Sequence, residues 1–119
     1  MPEPKLPTVV EVMAEHTDAY LWNRSPDRQP DDDYVVDPAT LGVSPALLAR
    51  LDAWNTDWSR DALGLGSLEN RPAGGQGWKR EGLDLAYQLQ AEFDALGLDI
   101  DVLYAHDDDR RPLRDRRGR

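Results

Sequence analysis

Two apolar stripes at helical spacing, separated by a glycine-rich stretch, set the strongest constraint on what this chain can fold into. In the first, Leu47, Leu51, Trp54 and Trp58 recur at intervals of four, three and four, which places them on one face of a helix. Ser44 is a good N-cap, and Pro45 suits the first helical position. Leu48 broadens the stripe, and Gly64 offers a stop. The second stripe is Trp78, Gly82, Leu85, Leu89, Phe93 and Leu96. It predicts a helix over 78–96 that ends on a left-handed Gly97. Gly82 costs such a helix about 1 kcal/mol against Ala, and it leaves room for the close approach of a backbone or an indole. Between the stripes, residues 64–77 hold five of the nine glycines and Pro72, the composition of a flexible connection.

Strand signals flank the helices. Residues 8–13 are rich in β-branched side chains, 19–22 read as a second strand, and His16-Thr17-Asp18 offers the turn of a hairpin. Tyr34, Val35 and Val36 make a short third strand that Asp37-Pro38 ends. Near the C-terminus, Leu98, Ile100, Val102 and Tyr104 alternate with Asp99, Asp101 and Leu103, so the first set faces a core and the aspartates face out. The order β-β-β-α-α-β predicts an α+β fold: a small, mostly antiparallel sheet with two amphipathic helices packed on one face. Trp54 and Trp58 share the helical stripe and belong to the core, whereas Trp22 is the candidate for an exposed interface anchor.

The 119 residues suit one domain. We expect a flexible arm over 1–7, a single domain over 8–106, and a disordered end over 107–119 made of an acidic run and a basic Arg-rich tail. There is no cysteine, so disulfides, Cys-ligated zinc and thiol nucleophiles are excluded. No run approaches the ~18 apolar residues of a membrane span. The opening MPEPKLP lacks the basic and apolar regions of a signal peptide, which predicts a cytoplasmic protein.

Charge is distributed unevenly. Residues 1–109 carry a net −14 and residues 110–119 a net +5. An acidic body repels phosphate backbones and steers encounters with basic proteins. Asp31, Asp32 and Asp33, with Asp57, Asp61, Asp99 and Asp101, are the candidate landing sites for a partner's Arg and Lys, together with Trp22. The tail folds back on the acidic body, contacts phosphates, or stays solvated.

Signals for chemistry are weak. His106 beside Asp107, Asp108 and Asp109 offers imidazole and carboxylates to a cation, without an EF-hand or His-Glu-x-x-His spacing. Gly74-Gly75-Gln76-Gly77 lacks the Gly-Lys-Ser/Thr ending of a P-loop and reads as linker. None of Ser25, Ser44, Ser59 and Ser67 sits in Gly-x-Ser-x-Gly. Asn55, between two tryptophans, reads as an amide bonded to a neighbouring loop. No catalytic residue, resident metal or cofactor is assigned.

Several segments taken together resemble a group of small uncharacterised proteins of GC-rich Gram-positive bacteria: Tyr20-Leu21-Trp22-Asn23, Asp37 to Gly42, Leu51 to Asn55, Trp78 to Ala86, and Asp101 to Tyr104. The resemblance spans roughly residues 20–106 and implies no catalytic residues. By analogy of size and composition, the expected function is an acidic interaction module that binds a basic protein, in the manner of an immunity or antitoxin-type inhibitor. Two alternatives remain at this point: a small metal-dependent or carboxylate-based enzyme using His106, and nucleic-acid contact through 110–119.

Overall fold

The computed structural model describes residues 6–15, 19–26, 34–62, 76–106, 109 and 111–116, with backbone alone for 58–62, 76 and 116. The chain runs β1 (Val9–Val12), β2 (Leu21–Asn23), a 3-10 turn (Pro38–Leu41), α1 (Pro45–Ala62), α2 (Gln76–Ala95), β3 (Asp101–Tyr104) and a short α3 (Leu113–Arg116). No described helix is long and apolar enough to cross a membrane.

The fold is α+β, as the patterning predicts, but the sheet differs in detail. It has three strands in the order β2-β1-β3. β1 pairs antiparallel with β2, Val12 opposite Leu21, and parallel with β3, Val10 opposite Val102 and Val12 opposite Tyr104. The sheet is therefore mixed rather than mostly antiparallel. Parallel neighbours need a crossover connection, and α1 and α2 supply it. The expected third strand is reduced to a single bridge between Val35 and Trp22, held by Asn23 N–H to Tyr34 O at 2.7 Å and Val36 N–H to Leu21 O at 2.9 Å. Asp37 ends that pairing by capping the 3-10 turn through the Ala39 N–H.

The helical stripes fill one core with the sheet. Leu47, Leu51 and Trp54 of α1 join Leu85, Ala86, Leu89 and Phe93 of α2 against Val10, Val12, Ile100, Val102 and Tyr104. Ser44 caps α1 through the Leu47 N–H, and Glu92 of α2 accepts from both the Ser44 N–H and its hydroxyl at 2.7 Å. A carboxylate at a helix N-terminus also meets the positive end of the macrodipole. The second helix begins earlier than the stripe suggests and ends at Ala95, leaving Leu96 half exposed. Gly97, at φ 76°, closes it. Leu98 N–H bonds Phe93 O and Gly97 N–H bonds Asp94 O, the two bonds of a Schellman cap.

β3 lies at a sheet edge, so half of its backbone groups face away from β1. A side chain of α2 satisfies two of them. The fully buried Gln90 amide donates to Ile100 O at 2.8 Å and accepts from Val102 N–H at 3.0 Å. It stands in for one residue of a missing fourth strand.

The tail corrects a second expectation. Within 107–119, residues 111–116 are placed rather than disordered: Leu113 is fully buried in the core, and α3 lies against β3 and α2. Leu113 is the tail's one leucine, and its burial carries the segment back onto the body.

The Gln90 arrangement predicts a measurable cost. Gln90→Met keeps most of the volume but leaves two buried backbone groups unpaired, which should destabilise the fold by about 2–4 kcal/mol. Urea unfolding followed by circular dichroism checks this; a loss under about 0.5 kcal/mol would contradict the role given to the amide.

Candidate functional site

The residues nominated for chemistry turn out to be structural. Trp54 and Trp78 stack at 4.5 Å with their planes 8° apart. Each indole N–H donates to the other's backbone carbonyl at 3.1 Å. Tyr104 lies 6.3 Å from Trp54 and donates its hydroxyl to Lys79 O at 2.7 Å. His106 meets all three rings edge-on, between 4.8 and 5.6 Å. Its Nε2 accepts the Ala14 N–H at 3.0 Å, which requires a neutral ring protonated on Nδ1. This imidazole therefore closes an aromatic cluster and anchors the end of β1. Among the described residues, no group of three His, Asp or Glu side chains is placed to hold a metal; Asp107 and Asp108 lie outside those residues, and Asp109 pairs with Arg111 at 2.7 Å.

Asn55 behaves as its position suggests: buried, it accepts the Glu15 N–H at 2.8 Å. Gly82 also meets its expectation. A Cβ there would lie 2.5 Å from Trp54 Cζ2 and would collide with the Tyr104 hydroxyl. Helix propensity favours Gly82→Ala by about 1 kcal/mol, whereas overpacking a close-packed site costs about 1–3 kcal/mol or more.

The acidic candidates separate into three sets. Asp99 and Asp101 are engaged by one guanidinium: Arg114 reaches Asp101 at 2.5 Å and Asp99 at 2.9 Å. They hold the tail through Arg114, although Asp99 stays almost fully exposed. Asp31, Asp32 and Asp33 lie outside the described residues, as does the side chain of Asp61. Asp57 is exposed, with no basic partner among the described residues. Trp22 is a further correction. It is 8% exposed, donates Nε1–H to Met13 O at 3.0 Å and lies 5.3 Å from the Tyr34 ring. It occupies the sheet face opposite the helices, where Tyr34 covers it and Arg24 in turn covers Tyr34.

Among the described residues, a groove of about 430 Å³ is lined in part by Tyr20, Val35, Val36, Asp37, Pro38 and Asp52. Three segments build it: the entry to β2, the stretch from the bridge to the 3-10 turn, and the outer face of α1. Asp37 and Asp52 are both exposed, while the Tyr20 side chain is over nine-tenths buried. Among the described residues, the Tyr20 hydroxyl has no hydrogen-bond partner. Burial pushes the phenol up to about 12, and the charges of Asp52 and Asp37 push it the same way. The sequence reading passed over this trio because its members are far apart in the chain. The one available signal was Asp52, a carboxylate one residue past the buried Leu51.

Two predictions follow from this geometry. Gly82→Ala should lower the thermal midpoint and disturb the near-ultraviolet dichroism of the stacked indoles; a stabilised protein would contradict the packing. The second concerns Tyr20. An unfolded tyrosine loses its proton near the ordinary value of about 10, before the folded one does. Stability attributable to Tyr20 is thus complete below that pH and is lost as pH rises through about 12. Site-resolved carbon NMR should find Tyr20 titrating at about 12, and Asp52→Asn should lower its midpoint.

A search of curated proteins finds no match to the chain. Residues 8–107 match the model of a family described as Serratia CdiI immunity protein-like. The match takes in the sheet, both long helices, the aromatic cluster and the groove, and the chain belongs to that family of immunity proteins.

Proposed function

We propose that this protein neutralises a basic toxin domain in the cytoplasm by binding it through exposed carboxylates. The family match over 8–107 carries the reading, since an immunity protein works as a binding inhibitor and not as an enzyme. The packing of His106 among three rings agrees with it, because that imidazole is committed to the fold.

The charge supports the choice of a cationic partner. Residues 1–109 carry a net −14, and several carboxylates are already matched internally: Glu11 with Arg24, Asp84 with Arg50, Asp99 and Asp101 with Arg114. Asp37, Asp52, Asp57 and Glu81 are exposed and have no basic partner among the described residues. These four replace Asp99 and Asp101 as the groups that a partner's Arg and Lys would meet. Carboxylates placed this way speed association and exclude acidic competitors.

The test is calorimetry with a cognate toxin domain, the kind of partner an immunity protein of this family implies. Binding should be tight at low salt and at least about tenfold weaker at an ionic strength of about 0.5 M than at about 0.05 M, because exposed charges are screened beyond the Debye length. A partner that is acidic, or an affinity indifferent to salt, would overturn the electrostatic reading.

A further inference from the structure

We propose that the groove between α1 and the 34–38 segment is the docking site for one arginine side chain of the toxin, its guanidinium between Asp37 and Asp52 and its stem along Val35, Val36 and Pro38. The inference rests on the proposed function and narrows it to a place and a chemistry.

Three features select that occupant. Charge comes first. Asp37 and Asp52 border the same cavity and both face solvent. Asp52 has no ion-pair partner among the described residues, and Asp37 spends one oxygen on the Ala39 N–H. Two carboxylates around one cavity favour a cation. The second feature is the Tyr20 hydroxyl. Its side chain is over nine-tenths buried, it lines the groove, and no hydrogen-bond partner meets it among the described residues. The hydroxyl itself stays within reach of solvent, since no buried side-chain oxygen among the described residues lacks a bond, and an entering guanidinium N–H takes the place of its water. The Tyr20 pKa, raised first by burial, is pushed the same way by the charges of Asp52 and Asp37.

The third feature is shape and lining. The volume, about 430 Å³, lies within the range of small-ligand clefts. Val35 is 45% exposed there, which leaves apolar surface for an aliphatic stem. Arginine suits such a mixture better than lysine. Its planar fork offers several N–H donors to separated acceptors, and its weaker hydration lowers the cost of leaving water.

The experiment uses the full chain, three small probes and the toxin domain. First, N-acetyl-arginine amide, its lysine counterpart and its neutral citrulline counterpart are each titrated against isotope-labelled protein. The arginine probe should give saturable shifts at the Val35, Val36 and Asp52 amides with millimolar affinity. Citrulline should give none, and Asp52→Asn should abolish the response. Second, the toxin domain is bound by Asp52→Asn, Asp37→Asn and Tyr20→Phe. Asp37→Asn keeps an oxygen for the Ala39 N–H, and Tyr20→Phe removes a hydroxyl that bonds nothing in the described structure, so these variants should fold.

Asp52→Asn should weaken toxin binding about tenfold or more, as expected for losing one partner of a docked charge pair. Asp84→Asn, whose carboxylate is exposed, lies outside the groove and already pairs with Arg50, should change it less than about twofold. Absence of a saturable arginine shift overturns the site, and so does undiminished toxin binding by Asp52→Asn. Equal response to the lysine probe overturns the choice of guanidinium. If the arginine probe binds in the groove while the wild-type chain ignores the toxin domain, the groove stands and the proposed partner falls.

Discussion

The reciprocal pair of Trp54 and Trp78 joins the two long helices through a stacked contact and two hydrogen bonds. The rings lie 4.5 Å apart and nearly parallel, and each indole N–H reaches the opposite backbone carbonyl. Stacking contributes about 0.5–1.5 kcal/mol beyond area burial, and each satisfied bond adds about 1 kcal/mol. The pair fixes where the start of α2 sits against the middle of α1. Gly82 lets Trp54 sink to that depth. Tyr104 and His106 then complete the ring set from β3 and the turn beyond it. Because His106 also accepts the Ala14 N–H, the cluster reaches the end of β1. One aromatic contact thus sets helix against helix, and helices against the sheet.

Much of this was legible as pattern. The two stripes named the buried faces of α1 and α2, and Gly82 announced a close approach because a glycine inside an apolar stripe has a cost that something must offset. Gly97 marked a cap and Asn55 marked a satisfied amide. Strand direction was not legible. Alternation in 98–104 shows which side chains face the core but is silent on whether β3 runs with or against β1, and the parallel choice depends on where two helices deliver the chain. Trp22 illustrates the same limit. Its residue type fits both a core and an interface, and only the return of Tyr34 over the second sheet face decides between them.

The tail escaped for a different reason. A run of arginines with one proline and one glycine has the composition of a solvated end. A single apolar side chain, Leu113, changes the outcome because the body leaves a site for it in the core. Arg114 then lands between Asp99 and Asp101. Exposed pairs of this kind contribute little alone, so Leu113 carries the placement and Arg114 sets the orientation.

That division also explains why a net charge could point to a class of partner but not to a surface. The total is a sum over the sequence, and it counts Asp99 and Asp52 alike. The fold does not treat them alike. Asp99 and Asp101 meet a cation of their own chain and hold the C-terminal segment against β3. Asp37 and Asp52 border an apolar groove that Tyr20 also lines. A carboxylate already neutralised gives a partner little to gain, because any new ion pair must first displace the old one. A carboxylate beside unfilled apolar surface offers both charge and contact. Recognition in a protein this acidic is therefore governed by which acids the fold leaves unmatched, and here those nearest to concave apolar surface belong to the start of the 3-10 turn and the outer face of α1.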